Sequence, residues 1–349
     1  ELDGETIIVP SWRGDVEHYS DIAEEIARFY GYNNIPCTLM RGQTTSGGYS
    51  DAQQAERSIG AMARALGYSE IITYSFISPS YYDKIRLPAD SPLRNSMKIL
   101  NPLGEDTSIM RTTVLPSMLE ILTRNYNYRN KAVRLYEIGK VYFARPDGMA
   151  DEPKLLCLGG YGGELDFFGL KGAVERILAG LRITGVTFEA ESGNPSYHPG
   201  RCAKVYAGGK LLGVLGQIHP LAAANYGVDT ELYTAELQLG EMLAERGATP
   251  VYTPLPRFPA VTRDVAVVCS ADIPVAKLSQ CILAAGGQYL KGCELFDVYT
   301  GTPIPAGYKS VAFSLTLRAD DQTLTDDHAE ETMQSVLKAL EETFHATIR

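Results

Sequence analysis

The chain holds one tryptophan and five histidines in 349 residues. His198 and His219 stand in His-Pro steps without a third ligand beside them, which makes a poor metal site. No Ser/His/Asp or Cys/His set can be assembled for nucleophilic catalysis. The six cysteines, at 37, 157, 202, 269, 281 and 293, include no CxxC pair and no zinc spacing. Most sit in apolar stretches and read as reduced core thiols of a cytosolic protein. No apolar run reaches the length of a membrane span, and no secretory signal is visible, so no membrane partner is expected. Positive charge is also short: the net charge is −10, which argues against broad nonspecific nucleic-acid binding. Gly159-Gly160-Tyr161-Gly162-Gly163 has neither the lysine of a phosphate loop nor dinucleotide-binding spacing, and reads as a turn. No internal repeat or low-complexity tract is present. A start at Glu1, not Met, reads as a processed or truncated piece.

What is there is core material. With 45% hydrophobic residues the chain suits two or three folded domains. Residues 1–38 supply a short strand at 6–10 and a helix over 20–30 with Ile22, Ile26 and Phe29 on one face. That is too little for a core, so it reads as the tail of something larger. Residues 39–50 form a polar linker. A second domain follows at 51–250. Its first helix carries Ile59, Met62, Ala63 and Leu66 and closes at Gly67; a strand is expected over 71–77. A further helix starts near Leu115 with Met118, Leu119 and Leu122 inward. Antiparallel strands around 133–143, 155–160, 204–215 and 233–239 point to an α+β domain.

A Pro-rich joint at 250–259 precedes a terminal module, 251–349, with the order strand, helix, strand, strand, helix, strand. Its strands fall at 263–268, 293–300, 308–317 and 346–349; its helices bury Val275, Leu278 and Ile282, then Met333, Val336, Leu337, Leu340 and Phe344. That is the split βαβ order of ferredoxin-like folds, whose open sheet face often binds RNA, although the fold hosts many other functions. From Pro256 onward there are 8 Lys and Arg against 12 Asp and Glu, a net −4, so any RNA contact must be local. On the 308–317 strand, Val311, Phe313, Leu315 and Leu317 should face the helices, and Ser310, Ser314, Thr316 and Arg318 outward. Unpaired bases need stacking surfaces and donors, which makes Phe296 and Arg318 the candidates for contact. Phe296 could equally be core.

Two constellations carry possible chemistry. Asp21, Glu24 and Glu25 are spaced i, i+3, i+4 on one helical face, and Asp15 precedes them by a turn of loop. Four carboxylates repel unless a cation or a positive partner sits among them, and hard oxygen donors suit Mg2+. The alternative is a solvated helix start, with Ser20 or Asp21 as N-cap and Glu24 closing a capping box. The second constellation is Arg111, which follows Asn101-Pro102-Leu103 and Met110. It could grip a phosphate or carboxylate, or tie a strand to a helix start.

Taken together, the phrases resemble the C-terminal half of a bacterial-type phenylalanyl-tRNA synthetase β subunit. They are Val9-Pro10-Ser11-Trp12-Arg13-Gly14-Asp15 with the acidic helix to Tyr32, Asn101-Pro102-Leu103 with Met110-Arg111-Thr112, and Tyr136-Glu137-Ile138-Gly139-Lys140. His198-Pro199-Gly200-Arg201 with Leu215-Gly216-Gln217-Ile218-His219-Pro220, and Phe258-Pro259-Ala260-Val261-Thr262-Arg263-Asp264, complete the set. The resemblance covers essentially the whole chain.

It implies a cytoplasmic (αβ)2 heterotetramer that uses ATP to charge tRNA(Phe) with phenylalanine, the active site lying in the α subunit. On that footing 1–38 is the tail of a winged-helix-like module, 51–250 a non-catalytic class II synthetase-like sheet domain, and 251–349 a ferredoxin-fold anticodon-binding domain. Asp15, Asp21, Glu24 and Glu25 fall on the family's Mg2+ ligands, shared with the α subunit. Phe143 stands where a class II enzyme needs an arginine for the ATP α-phosphate, and Glu241 follows the lone Gly240 of the third motif, so this chain alone should be inactive. The helix near Leu115–Leu122 and the strands around it are the expected α-subunit contact, and Arg318 and Phe296 the expected tRNA contacts. The alternative is a stand-alone RNA-binding or scaffold protein descended from that subunit. The family's upstream editing half has no counterpart in these residues.

Overall fold

A computed structural model describes residues 2–348; Glu1, and Arg349 at the expected end of the last strand, lie outside the described residues. The chain divides into two compact units, 1–248 and 249–349.

The first unit is built on a seven-stranded sheet. Its order is Thr187–Ala190, Tyr197–Ala207, Lys210–Ile218, Tyr233–Gln238, Lys154–Tyr161, Val133–Lys140, Ser69–Glu70. Every pairing is antiparallel except the last, which is parallel. The central Lys154–Tyr161 strand is buried from Leu155 onward because both faces are covered. Leu156 and Leu158 pack under the helices Asp51–Ala65, Phe167–Gly180 and Leu239–Ala244. Leu155 and Cys157 pack on the opposite face, under Leu115–Asn127 and Pro220–Asn225. Gly159 permits the close seat of the Leu115–Asn127 helix, since a Cβ there would lie 2.6 Å from Met118.

Two expectations are corrected. The segment 71–77 is not one strand: only Ser69–Glu70 and Phe76–Ile77 pair, because Thr73 and Ser75 between them bond to Glu137 and to the backbone of Arg111. The Tyr19–Tyr30 helix is capped by His18, not Ser20 or Asp21, and Asp21 closes the box from the third helical position. Leu115, Met118, Leu119 and Leu122 are buried, as their inward spacing requires. Helix 19–30 buries none of its residues, and residues 36–50 have no regular structure. Cys157, Cys202 and Cys269 are buried free thiols, whereas Cys37 is exposed. No helix among the described residues is long and apolar enough to cross a membrane.

The second unit is a four-stranded antiparallel sheet ordered Leu290–Tyr299, Tyr308–Leu317, Val261–Ser270, Thr347–Ile348, with helices Val275–Ala285 and Asp326–Phe344 on one face. Val311, Phe313, Leu315 and Leu317 face those helices with Val265 and Val267, meeting Leu278, Ile282, Val336 and Leu340. Alternation alone produces this one-sided core. Thr325 caps the long helix, and Asp326 and Asp327 complement its N-terminal dipole.

Candidate functional sites

The acidic set has found its positive partner within the chain. Arg13 donates from Nε and Nη2 to Asp15 at 2.9 and 2.7 Å, and from Nη2 to Glu25 at 2.8 Å. Arg28 takes the other Glu25 oxygen. Asp21 accepts the backbone N–H groups of Glu17 and His18 at 2.9 and 2.7 Å. These bonds hold the carboxyls of Asp15, Asp21 and Glu25 below their ordinary values: Arg13 acts on Asp15, the His18 amide on Asp21, and Arg13 then Arg28 on Glu25. Glu24 is exposed on the same helix. The donors are all hard oxygens, a kind that fits Mg2+. Among the described residues, however, no group of three or more His, Cys, Asp or Glu side chains is gathered to hold a metal, because Arg13 neutralises two of the four.

Arg111 settles its two readings in favour of a tie. Its guanidinium is buried and bonds Glu137 at 2.8 Å, Thr73 Oγ1 at 2.7 Å and the Lys140 carbonyl at 2.9 Å. Thr73 in turn donates to Glu137 at 2.7 Å. Three segments distant in sequence are thereby fixed to one planar cation, whose fork suits several acceptors at once. Gly139 leaves the space; a Cβ there would press into the guanidinium and the Glu137 carboxylate. Tying together 71–75, 110–112 and 137–140, Arg111 is closed off from any phosphate.

A cavity of about 330 Å³ lies on the same side of the sheet. Phe143, Val141, Leu155, Leu211 and Val214 make its apolar wall, and Glu191, Lys204 and Glu236 are its ionisable residues. No arginine among the described residues lines it. Glu236 comes from the Tyr233–Gln238 strand, between the fully buried Ala235 and Leu237. It accepts from Thr113 Oγ1 at 2.8 Å and from the Val114 backbone N–H at 2.6 Å. Sequence reasoning missed it, although a lone carboxylate inside an apolar strand was the available signal.

Burial pushes the Glu236 carboxyl above its ordinary 4.5, against the opposing pull of the Val114 and Thr113 bonds. A raised carboxyl value means the folded chain binds that proton more tightly than the unfolded chain. The associated stability is complete below 4.5 and is lost as pH rises through the folded value. Glu236→Gln, which cannot ionise, should therefore narrow the gap between urea midpoints measured at about pH 5 and about pH 8. An unchanged gap would remove Glu236 from the pH dependence.

In the second unit Phe296 is 59% exposed at a register shift between Leu295 and Asp297, so it is not core. Arg318 is half-buried; its backbone N–H bonds the Tyr289 carbonyl, and its buried Nε has no partner. The register puts Asp264, Glu294 and Asp297 on the face turned from the helices, with Ser310, Ala312, Ser314 and Thr316. Ser310 is nonetheless buried. Among the described residues, the strand positions paired on that face supply acceptors and no cation.

The antiparallel sheet domain and the ferredoxin-like unit each match a tRNA synthetase family, which sets the class of the chain. Residues 35–239 match the phenylalanyl tRNA synthetase beta chain CLM domain, residues 256–349 the ferredoxin-fold anticodon binding domain, and residues 2–32 the tRNA synthetase B5 domain. The chain belongs to the phenylalanyl-tRNA synthetase β-chain family. It is 41% identical to the phenylalanine–tRNA ligase beta subunit of Clostridium acetobutylicum, over 100% of this chain and 44% of that one. The same subunit of Moorella thermoacetica is 42% identical over 98% of this chain and 44% of its own length. The chain thus spans less than half the length of these relatives. Among solved structures, pyrrolysyl-tRNA synthetase from Desulfitobacterium hafniense superposes with a TM-score of 0.47 at 16% identity, covering 68% of this chain and 82% of that chain.

Proposed function

We propose that this chain is the non-catalytic part of a phenylalanine–tRNA ligase: it supports an α subunit that holds the active site and uses ATP, and it contacts tRNA(Phe) through residues 249–349. The observation that carries the reading is the cavity over the sheet. A triphosphate needs cations, yet among the described residues the cavity has Phe143 in its wall and no arginine, and its one lysine, Lys204, is paired with Glu191. Such a chamber cannot polarise an α-phosphate, so the chemistry belongs to a partner.

The partner's docking surface is apolar and exposed. Ile72 and Tyr74 are 92% and 82% exposed, Leu100 and Leu103 96% and 101%. Their two segments converge on Met110–Arg111: Arg111 N bonds the Ser75 carbonyl and Met110 N that of Met97, both at 2.9 Å. Protruding apolar groups on an anchored scaffold are the usual make-up of an interface core.

The test is co-purification with the matching α subunit in an (αβ)2 assembly, followed by charging of tRNA(Phe). A complex that charges, with the chain alone inactive, supports the reading. Absence of any complex at micromolar concentration sinks it and leaves a stand-alone RNA-binding relative. In the same assay Phe296→Ala and Arg318→Ala should raise KM for tRNA and leave KM for ATP unchanged. Equal effects on both would remove them from the tRNA contact.

Mg2+ belongs to this proposal as a cation held by Asp15, Asp21, Glu24 and Glu25 together with the α subunit, where it would link two acidic surfaces. Arg13 would have to yield Asp15 and Glu25. Titrating Mg2+ by calorimetry should show tighter binding to the complex than to the chain, and Glu24→Gln should weaken the former about tenfold or more. Equal affinities in complex and chain would contradict a shared site.

A further inference from the structure

The cavity that cannot serve ATP has chemistry of its own. Glu191 and Lys204 pair off in its wall, which leaves Glu236 as the one ionisable group there without a counter-ion among the described residues. Arg111, the cation whose field reaches Glu236, is already bound by Glu137, Thr73 and the Lys140 carbonyl. Tyr197 and Cys157, also within its electrostatic reach, are buried and neutral in their ordinary forms. A carboxylate that accepts one N–H and one O–H still has lone pairs to offer. Around it the wall is formed by Phe143, Leu155, Leu211 and Val214. A mainly apolar cleft with a few polar groups is the usual composition of a small-molecule site, and about 330 Å³ is within the usual range for one; Thr112, Asn194 and Gln238 add neutral polar groups to its lining.

We propose that this cavity is a binding site for a small organic monocation, an apolar body bearing one primary ammonium group, with Glu236 as its counter-ion. The ammonium replaces the missing cation, and the apolar body fills the volume bounded by Phe143, Leu211 and Val214. Neutral analogues gain the second contact and lose the first. Anions gain neither, because Lys204 is engaged by Glu191. The site needs neither the ligase reading nor a partner chain, since every group that makes it lies in residues 93–238.

The probe is benzylamine, with benzyl alcohol as its neutral counterpart, titrated into the 349-residue chain by calorimetry and ligand-observed NMR. Benzylamine should bind saturably and at least about tenfold more tightly than benzyl alcohol, the factor expected of one charge-assisted hydrogen bond out of water. Glu236→Gln should abolish that preference while leaving the weak alcohol binding in place. Val214→Phe, which takes up volume from the position paired with Glu236 across the two strands, should remove both. The parent chain's amine-to-alcohol ratio needs no variant, so it decides the matter even if Glu236→Gln does not fold. Equal affinity for the two probes, amine binding that survives Val214→Phe, or no binding at millimolar concentration would each overturn the proposal.

Discussion

Arg111→Ala is expected to lower the unfolding free energy of the 1–248 unit by about 3–5 kcal/mol, the usual cost of leaving one member of a buried ion pair alone. The side chains of Arg111 and Glu137 are 2% and 4% exposed, so water cannot replace the lost partner. Glu137 would keep only Thr73, and the Lys140 carbonyl would lose its donor. Urea unfolding followed by far-UV circular dichroism checks this, because the single tryptophan, Trp12, is remote in sequence and 77% exposed. The double variant Arg111→Met with Glu137→Leu should lose less than the two single variants added together, by about 1 kcal/mol or more. Strict additivity would show that the pair acts as two unrelated packing residues. A functional consequence accompanies the structural one. Thr73 sits between Ile72 and Tyr74, so releasing Arg111 also releases the segment that presents the proposed docking surface.

The terminal unit was legible because its signals are local. Period-two alternation placed the 308–317 strand at both bounds, and helical spacing picked out Leu278, Ile282, Val336 and Leu340, all buried. The sheet of the first unit was legible in outline as antiparallel strands around 133–143, 155–160 and 233–239, but not that both of its faces are covered. What failed was set by partners far away in sequence. Residues 71–77 alternate like a strand, yet Thr73 bonds Glu137 and Arg111, 64 and 38 residues on, and pairing stops there. The acidic set was visible as a like-charge problem. Its solution within the chain, Arg13 reaching across 12 residues to Glu25, required the loop to be folded first. The Leu115–Asn127 helix was read correctly as burying Met118, Leu119 and Leu122. An apolar stripe announces burial, but the stripe alone does not say whether the covering surface belongs to the same chain or to a partner.

That last ambiguity leads to the second large effect. Replacing Leu100 and Leu103 together by aspartate should leave the fold intact and weaken association with the α subunit by about 100-fold or more. The side chains are 96% and 101% exposed, so the free chain loses no packing. In a desolvated interface each would place a carboxylate where an apolar anchor sat, and anchors of this kind are worth about 2 kcal/mol or more each. Co-purification and calorimetry measure the affinity, and circular dichroism verifies the fold. Arg124→Glu serves as the control from the Leu115–Asn127 helix, whose apolar stripe is already buried in this chain, and it should leave association within about threefold. If the aspartate pair binds α as the parent does while Arg124→Glu does not, the docking surface lies on the helix and not on the 72–76 and 100–103 segments. If the aspartate pair alone fails, the Arg111 tie gains a purpose beyond stability. The buried cation would then be the fixed point on which both exposed segments are held for the partner, and Arg111→Lys, which keeps the charge but cannot make all three bonds at once, should weaken α binding more than its modest loss of stability accounts for.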